Sequence, residues 1–286
     1  MPDSHQYVLR YFASLIEKEV GIRYKDDQYQ LKKRLDDMSQ IAGYADCSQF
    51  YDFIKNNGLT VQLREMIWNL AGNHETSFFR NKMVFTNTLR SILDTPDYQK
   101  MIRPVKIWSA ACSSGQEAYS IAIVCAKWQS QQRGRQVNVI ASDVSSDMLK
   151  KATSGSYSLQ ELNKDSGLLP EEIREWFDTS DAKTYHAKTA LKSRVLFLRQ
   201  NLLQPLRAAG AHGPFDIIFL RNVLIYFHEA IRKKVTEKVA DLLVPNGYLI
   251  PGATESLSLD AGNTGLERMS VNGNFIYQKK PETSVL

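Results

Sequence analysis

Residues 105–143, VKIWSAACSSGQEAYSIAIVCAKWQSQQRGRQVNVIASD, constrain the fold more than any other stretch of this chain. Val105, Ile107 and Trp108 make a short apolar run, and only small side chains follow from Ala110 to Gly115. Ala118, Ile121, Ala122 and Cys125 then recur at i, i+3, i+4 and i+7, the spacing of a helix with one buried face. Val137, Val139 and Ile140 form a second apolar run, which stops at Asp143. Strand, turn, helix and strand in this order make a βαβ unit and predict an α/β fold.

The turn also limits what such a unit can bind. Small side chains let a ligand approach the backbone, and Ser113 or Ser114 is expected to cap the helix. Glu117, in the first helical turn, is expected to face the ligand, and Asp143 stands where an acidic residue accepts hydrogen bonds from ribose hydroxyls. A dinucleotide fingerprint requires three glycines in the turn; here Gly115 is alone, so no pyrophosphate cradle is indicated. A cofactor with a ribose but no phosphate, such as S-adenosylmethionine, fits all three features, and a βαβ unit without any ligand is the competing reading.

At 286 residues and 43% hydrophobic the chain can bury a sizeable core. No apolar run approaches the roughly 18 residues that span a bilayer, and the N-terminus lacks a signal pattern, so a cytoplasmic protein that is not membrane-embedded is expected. Cys47, Cys112 and Cys125 are far apart, which suggests neither a disulfide framework nor a zinc site, and no metal is expected. Cys112 is read as a small residue filling a tight turn rather than a nucleophile. Residues 1–75 carry 9 Lys and Arg against 11 Asp and Glu, and the remainder 27 against 20, too mild an excess to indicate nucleic acid.

Residues 1–75 read as a helical N-terminal domain, with apolar faces through Leu9, Phe12 and Ile16, through Leu31, Leu35 and Met38, and through Phe50, Phe53 and Ile54. The second of these helices carries Lys32, Lys33 and Arg34 in one turn, either a solvated face or a positive patch for an acidic partner. A linker segment and helix, 76–104, opens with TSFFR, in which Thr76, two phenylalanines and Arg80 form a set suited to gripping an adenosyl cofactor and a carboxylate. The α/β domain then occupies 105–286. At about 155–200 the rhythm breaks into an inserted antiparallel β-subdomain. FDIIFL (215–220) is a buried strand that ends in Arg221 and Asn222, and an Asn272-Gly273 hairpin closes the sheet.

TSFFR (76–80), ACSSGQEAYSIA (111–122), ASD (141–143), NLL (201–203), FDIIFLRNVLIYF (215–227) and NGYLIPGATES (246–256) stand in the order and spacing of the CheR family, the chemotaxis receptor glutamate methyltransferases. The resemblance covers nearly the whole chain. It implies a Rossmann-like S-adenosylmethionine methyltransferase sheet, which such enzymes end with an antiparallel hairpin. It also implies methyl transfer to glutamate side chains on the cytoplasmic helices of chemoreceptors, giving methyl esters and S-adenosylhomocysteine. By this resemblance Thr76, Arg80, Glu117, Asp143, Asn201, Leu202, Arg221 and Asn222 would touch the cofactor. Tyr226 would lie beside the transferring methyl, and Arg80 would orient it and the substrate carboxylate; both are the expected catalytic residues.

Two positions depart from the family pattern. His74 stands where relatives have asparagine, and is included among the expected cofactor contacts. Ala118 replaces a proline near a helix start, at little cost. The partner implied is the receptor cytoplasmic domain, met by Lys32, Lys33 and Arg34, with no nucleic acid and the enzyme a monomer. The loop at 178–182 lacks the glycines that some relatives use to grip a receptor C-terminal pentapeptide, so no tight pentapeptide binding is expected. Two other readings compete: a Rossmann-like methyltransferase of another substrate, and a non-catalytic cofactor-binding signalling module. The first lacks the Asn/Asp-Pro-Pro-aromatic set common in amine methylation, and the second has no need of Arg80, Glu117, Asp143 and Tyr226 together.

Overall fold

The computed structural model describes residues 4–24, 28–72, 75–132, 134–179, 183–255 and 264–281. Four helices open the chain, α1 (Ser4–Val20), α2 (Gln28–Ile41), α3 (Cys47–Asn57) and α4 (Val61–Ala71). Leu31, Leu35 and Met38 are buried, as their spacing requires, against Phe12, Phe50, Ile54 and Ile67 in a core of their own. The Phe12 and Phe50 rings stack at 5.4 Å. Asp46 starts α3 by accepting from the amides of Ser48 and Gln49, and Thr60 starts α4 by accepting from Leu63.

The helix expected after TSFFR begins as a π-helical turn, Val84–Leu89, and continues as α5 (Arg90–Leu93), followed by α6 (Pro96–Lys100). The α/β part then runs β1 (Val105–Ala110), α7 (Gln116–Gln131), β2 (Val137–Asp143) and α8 (Ser146–Ser154). A smaller set follows: β3 (Ser156–Ser158), α9 (Leu159–Asn163), α10 (Pro170–Trp176), β4 (Phe177–Thr179), β5 (Thr184–Ala187) and α11 (Thr189–Lys192). The main rhythm resumes with β6 (Val195–Arg199), α12 (Arg207–Gly210), β7 (Phe215–Leu220), α13 (Glu229–Asp241), β8 (Leu243–Pro251), β9 (Leu266–Val271) and β10 (Asn274–Lys279).

The large sheet has seven strands in the order β6-β2-β1-β7-β8-β10-β9. From β6 to β8 all neighbours are parallel, and β10 and β9 are antiparallel. Every residue of β7 is buried, which is why FDIIFL reads as an unbroken apolar run: helices cover both faces of a parallel strand. Asn272 and Gly273 both take positive φ, 50° and 78°, the turn that an Asn-Gly pair favours between hairpin strands.

The chain leaves β1 toward β2 on one side and returns to β7 on the other, so a crevice opens at the carboxyl ends of β1 and β7. That crevice fixes where a ligand site can lie. The separate three-stranded sheet, β3-β5-β4, is antiparallel and confined to residues 156–187. The insert expected at about 155–200 therefore ends earlier, because Val195–Arg199 hydrogen-bonds in parallel to β2 and is the edge of the main sheet.

The helical unit rests on the carboxyl ends of the strands through polar contacts. Arg23 N donates to Tyr226 O at 3.1 Å, and Asn201 Nδ2 to Glu19 O at 2.9 Å. Asn69 accepts from the Ser145 hydroxyl at 3.0 Å, and Arg199 pairs with Glu65 at 3.1 Å. Among the described residues no helix is long and apolar enough to cross a membrane.

Candidate active site

The turn after β1 is built from left-handed residues: Ala111 at φ 60°, Ser113 at φ 49° and Gly115 at φ 92°. No serine caps α7; Gly115 takes the N-cap position, and the Ser114 hydroxyl bonds to Gln116 instead. Glycine is required there twice over, by its backbone angle and because a Cβ would come within 2.8 Å of the Ala152 Cβ. The same conformation aims Ser113 N at Asp143 Oδ2, 2.8 Å away, while Ser145 N donates to Asp143 Oδ1 at 2.9 Å. Asp143 is thus a fixed, nearly buried carboxylate at the end of β2.

Glu117 lies in the first turn of α7. Its Oε1 accepts from the Ser109 hydroxyl at 2.8 Å and its Oε2 from Arg221 Nη1 at 3.0 Å. Burial pushes the Glu117 carboxyl above its ordinary range, against the pull of the Arg221 guanidinium and the Ser109 hydroxyl. Arg221 Nη2 reaches the carbonyl of Arg80 at 2.8 Å, and the guanidinium lies 5.2 Å over the Phe85 ring. One buried arginine therefore joins β7, α7 and the TSFFR segment. The Arg80 guanidinium donates to Glu75 O at 3.1 Å and remains partly exposed.

The other residues expected at the site take these positions. Phe78 and Phe79 are both buried in the core, Phe78 edge-on to Tyr157 at 5.1 Å and to Phe177 at 5.6 Å. Arg221 faces inward, its charge answered by Glu117. The Asn201 side chain is committed at both ends, to Glu19 O and by accepting from Leu203 N at 2.9 Å. Leu202 is buried beside it, within the core on that face of the sheet. Lys32 is bonded to Asp36 at 2.8 Å. Arg34 donates to Leu70 O at 3.2 Å and Gly72 O at 3.1 Å, closing the end of α4, so only Lys33 of that turn stands exposed without such a bond. Thr76 is half-buried, and His74 lies outside the described residues.

Cys112 is buried, and desolvation, with Asp143 and Glu117 nearby, pushes its thiol well above the ordinary range, which suits a packing role. Among the described residues no group of three or more His, Cys, Asp or Glu is placed to hold a metal ion.

The functional residue that sequence reasoning missed is Glu255. Its carboxylate accepts from the amides of Asn222 (2.7 Å), Leu224 (2.7 Å), Ile225 (3.2 Å) and Gly252 (2.8 Å), and so ties the segment after β7 to the segment after β8. It was visible only as a letter inside NGYLIPGATES. Beside that segment, between α1 and the start of α13, runs a cleft of about 840 Å³ lined by Arg23, Tyr226, Phe227, His228, Arg232 and Lys233.

A seven-stranded sheet of this order, with an acidic residue ending β2 and a small-residue turn at the crevice, defines a Rossmann-like S-adenosylmethionine methyltransferase. The residues fit that cofactor. The turn is open to close approach by backbone, Asp143 stands at the strand end, and the buried Arg221 Nε has no hydrogen-bond partner among the described residues. The family is narrower than the class. Residues 74–271 match the family model described as CheR methyltransferase, SAM binding domain. The chain belongs to the CheR methyltransferase family. A chemotaxis protein methyltransferase of Vibrio parahaemolyticus is 35% identical over 280 residues, 95% of this chain and 96% of that one. One from Escherichia coli K12 is 29% identical, covering 97% of this chain and 91% of its own length. The solved CMeT domain of citrinin polyketide synthase superposes with a TM-score of 0.45 at 12% identity, over 98% of this chain and 80% of that one.

Proposed function

We propose that this chain esterifies glutamate side chains on the cytoplasmic helices of chemoreceptors, with S-adenosylmethionine as methyl donor, and so serves sensory adaptation. The observation that carries the reading is Arg221 at the end of β7 joining Glu117 and the Arg80 carbonyl, in a chain that matches chemotaxis protein methyltransferases along most of its length. When bound, the cofactor supplies an electrophilic sulfonium methyl. Asp143 would hold the ribose hydroxyls and Glu117 the amino group of the methionyl part, while the turn at 111–115 leaves room for the backbone to approach.

A glutamate carboxylate, with an ordinary pKa of about 4.3, is ionised at neutral pH and needs no general base to attack such a methyl. The protein's work is alignment and exclusion of water. Tyr226 and Arg80 would align the acceptor carboxylate. The cleft beside Tyr226 suits an acidic helix, because Arg232 and Lys233 enter no ion pair among the described residues. Lys33, on α2, would add a further cation for the same partner.

The deciding experiment incubates the protein with methyl-labelled cofactor and receptor cytoplasmic fragments, then measures methanol released by alkali. Label that survives alkali rejects a glutamate methyl ester. Reversing Arg232 and Lys233 to glutamate raises the receptor KM more than Lys33→Glu does and leaves cofactor affinity unchanged; a larger effect of Lys33→Glu would place the docking face on α2. Residues 180–182, between β4 and β5, lie outside the described residues; a micromolar complex with a receptor C-terminal pentapeptide would overturn the expectation of no tight binding.

A further inference from the structure

We propose that Glu255 is a positioning residue for methyl transfer, whose carboxylate locks the segment carrying Asn222 and Tyr226 onto the end of β8. The inference rests on the reading of Tyr226 as the residue beside the transferred methyl.

The geometry is that of a clasp. Glu255 is 2% exposed, and among the bonds to described residues each of its oxygens takes two backbone amides: Oε2 those of Asn222 (2.7 Å) and Gly252 (2.8 Å), Oε1 those of Leu224 (2.7 Å) and Ile225 (3.2 Å). A buried carboxylate is tolerated only when so many donors answer it, and charge-assisted bonds of this length are strong. Three of the four donors lie within residues 222–225, immediately before Tyr226. That stretch is not in a conformation it would keep by itself. Asn222 sits at φ 58°, and Leu224–Tyr226 form a single 3-10 turn, too short to hold its own shape.

Gly252 supplies a second, independent mark of the clasp. A Cβ there would lie 2.4 Å from Glu255 Oε2 and 3.1 Å from Asn222 N. Its φ lies outside the left-handed region, so the close approach of the carboxylate, not backbone conformation, is what requires glycine. The site-bearing segment after β7 is thus shaped by a residue 33 positions away.

Two variants test this in the full-length protein, with a receptor cytoplasmic fragment as methyl acceptor. Glu255→Gln keeps the shape but turns an amide NH2 toward one pair of donors, so two of the four bonds are lost. Gly252→Ala leaves the carboxylate in the chain and drives it out of its seat. Each is expected to lower kcat by about 10-fold or more while the receptor KM stays within about 3-fold, and because both break one clasp, the double variant should be no more than about 2-fold slower than the slower single. A purely structural role would lower Tm without this split between kcat and KM. Circular dichroism establishes that each variant is folded, and if Glu255→Gln does not fold, Gly252→Ala carries the test. A folded variant with kcat within about 2-fold of wild type, or losses that multiply in the double variant, overturns the inference. With wild type active, those results leave the receptor reading standing; a wild type that labels no receptor fragment overturns the receptor reading and this inference together.

Discussion

Strand β7 is served at each end by a buried carboxylate, and the two are satisfied in different ways. At its start Asp216 accepts both guanidinium arms of Arg103, at 2.8 and 2.6 Å, together with Lys106 N at 2.8 Å. Past its end Glu255 is answered by four backbone amides. The first arrangement spends a full opposite charge to fasten the linker before β1 to the strand beside it, far from the crevice. The second shapes a loop through backbone amides, at the end of the sheet where the electrostatics must suit the cofactor and a substrate carboxylate.

If this contrast holds, damage at the start of β7 should appear as lost stability and damage at the crevice as lost chemistry. Arg103→Ala carries the largest expected stability effect, about 3 kcal/mol in urea unfolding, because it leaves the Asp216 carboxylate buried without its cation. The kcat of the folded enzyme should not change; a fall in kcat with unchanged stability would break the contrast. Asp216→Asn should cost less, about 1–2 kcal/mol, since the neutral amide can still accept from Lys106 N and the half-exposed Arg103 can turn to water.

At the other end Glu117→Gln should weaken binding of S-adenosylhomocysteine by about 10-fold at pH 7 by calorimetry. Its pH dependence has a defined sign. The Glu117 carboxyl is raised above its ordinary value of 4.5, so the folded protein holds that proton more tightly than the unfolded chain does. Its contribution to stability is full below 4.5 and is lost as the pH rises through the raised value. Cofactor binding runs the opposite way, because a cationic amino group needs the carboxylate: affinity falls as the pH is lowered into that window, and Glu117→Gln should flatten the dependence. An unchanged pH profile in the variant would remove Glu117 from the cofactor site. The smallest effect is Tyr98→Phe, which removes a hydroxyl that donates to Asp216 O at 3.2 Å; about 1 kcal/mol of stability and no kinetic change are expected.

Much of the fold was legible because it depends on neighbours in sequence. The periods of Leu31, Leu35 and Met38, the apolar run of FDIIFL and the Asn272-Gly273 turn each report local geometry, and each took the form expected. Where the expectation failed, the deciding partner was remote. Ser113 and Ser114 looked like caps, but the tight approach of Ala152 and the left-handed angle at Gly115 settled the turn. Arg34 looked like surface charge until α4 brought two carbonyls to it from 36 and 38 positions away. Val195–Arg199 alternated like a strand of the small sheet, yet its place was decided by pairing with β2.

By itself the sequence determined the class of protein, since a βαβ unit with one glycine, an acidic strand end and the ordered motifs from TSFFR to NGYLIPGATES leave few alternatives. The tertiary structure alone decided which of the motif residues face the crevice and which hold others in place. Residue type shows that a side chain can carry charge or donate a hydrogen bond. Whether Arg221 spends that capacity on Glu117, or Glu255 on the amides before Tyr226, depends on crossovers that bring segments 104 and 33 positions apart within 3 Å.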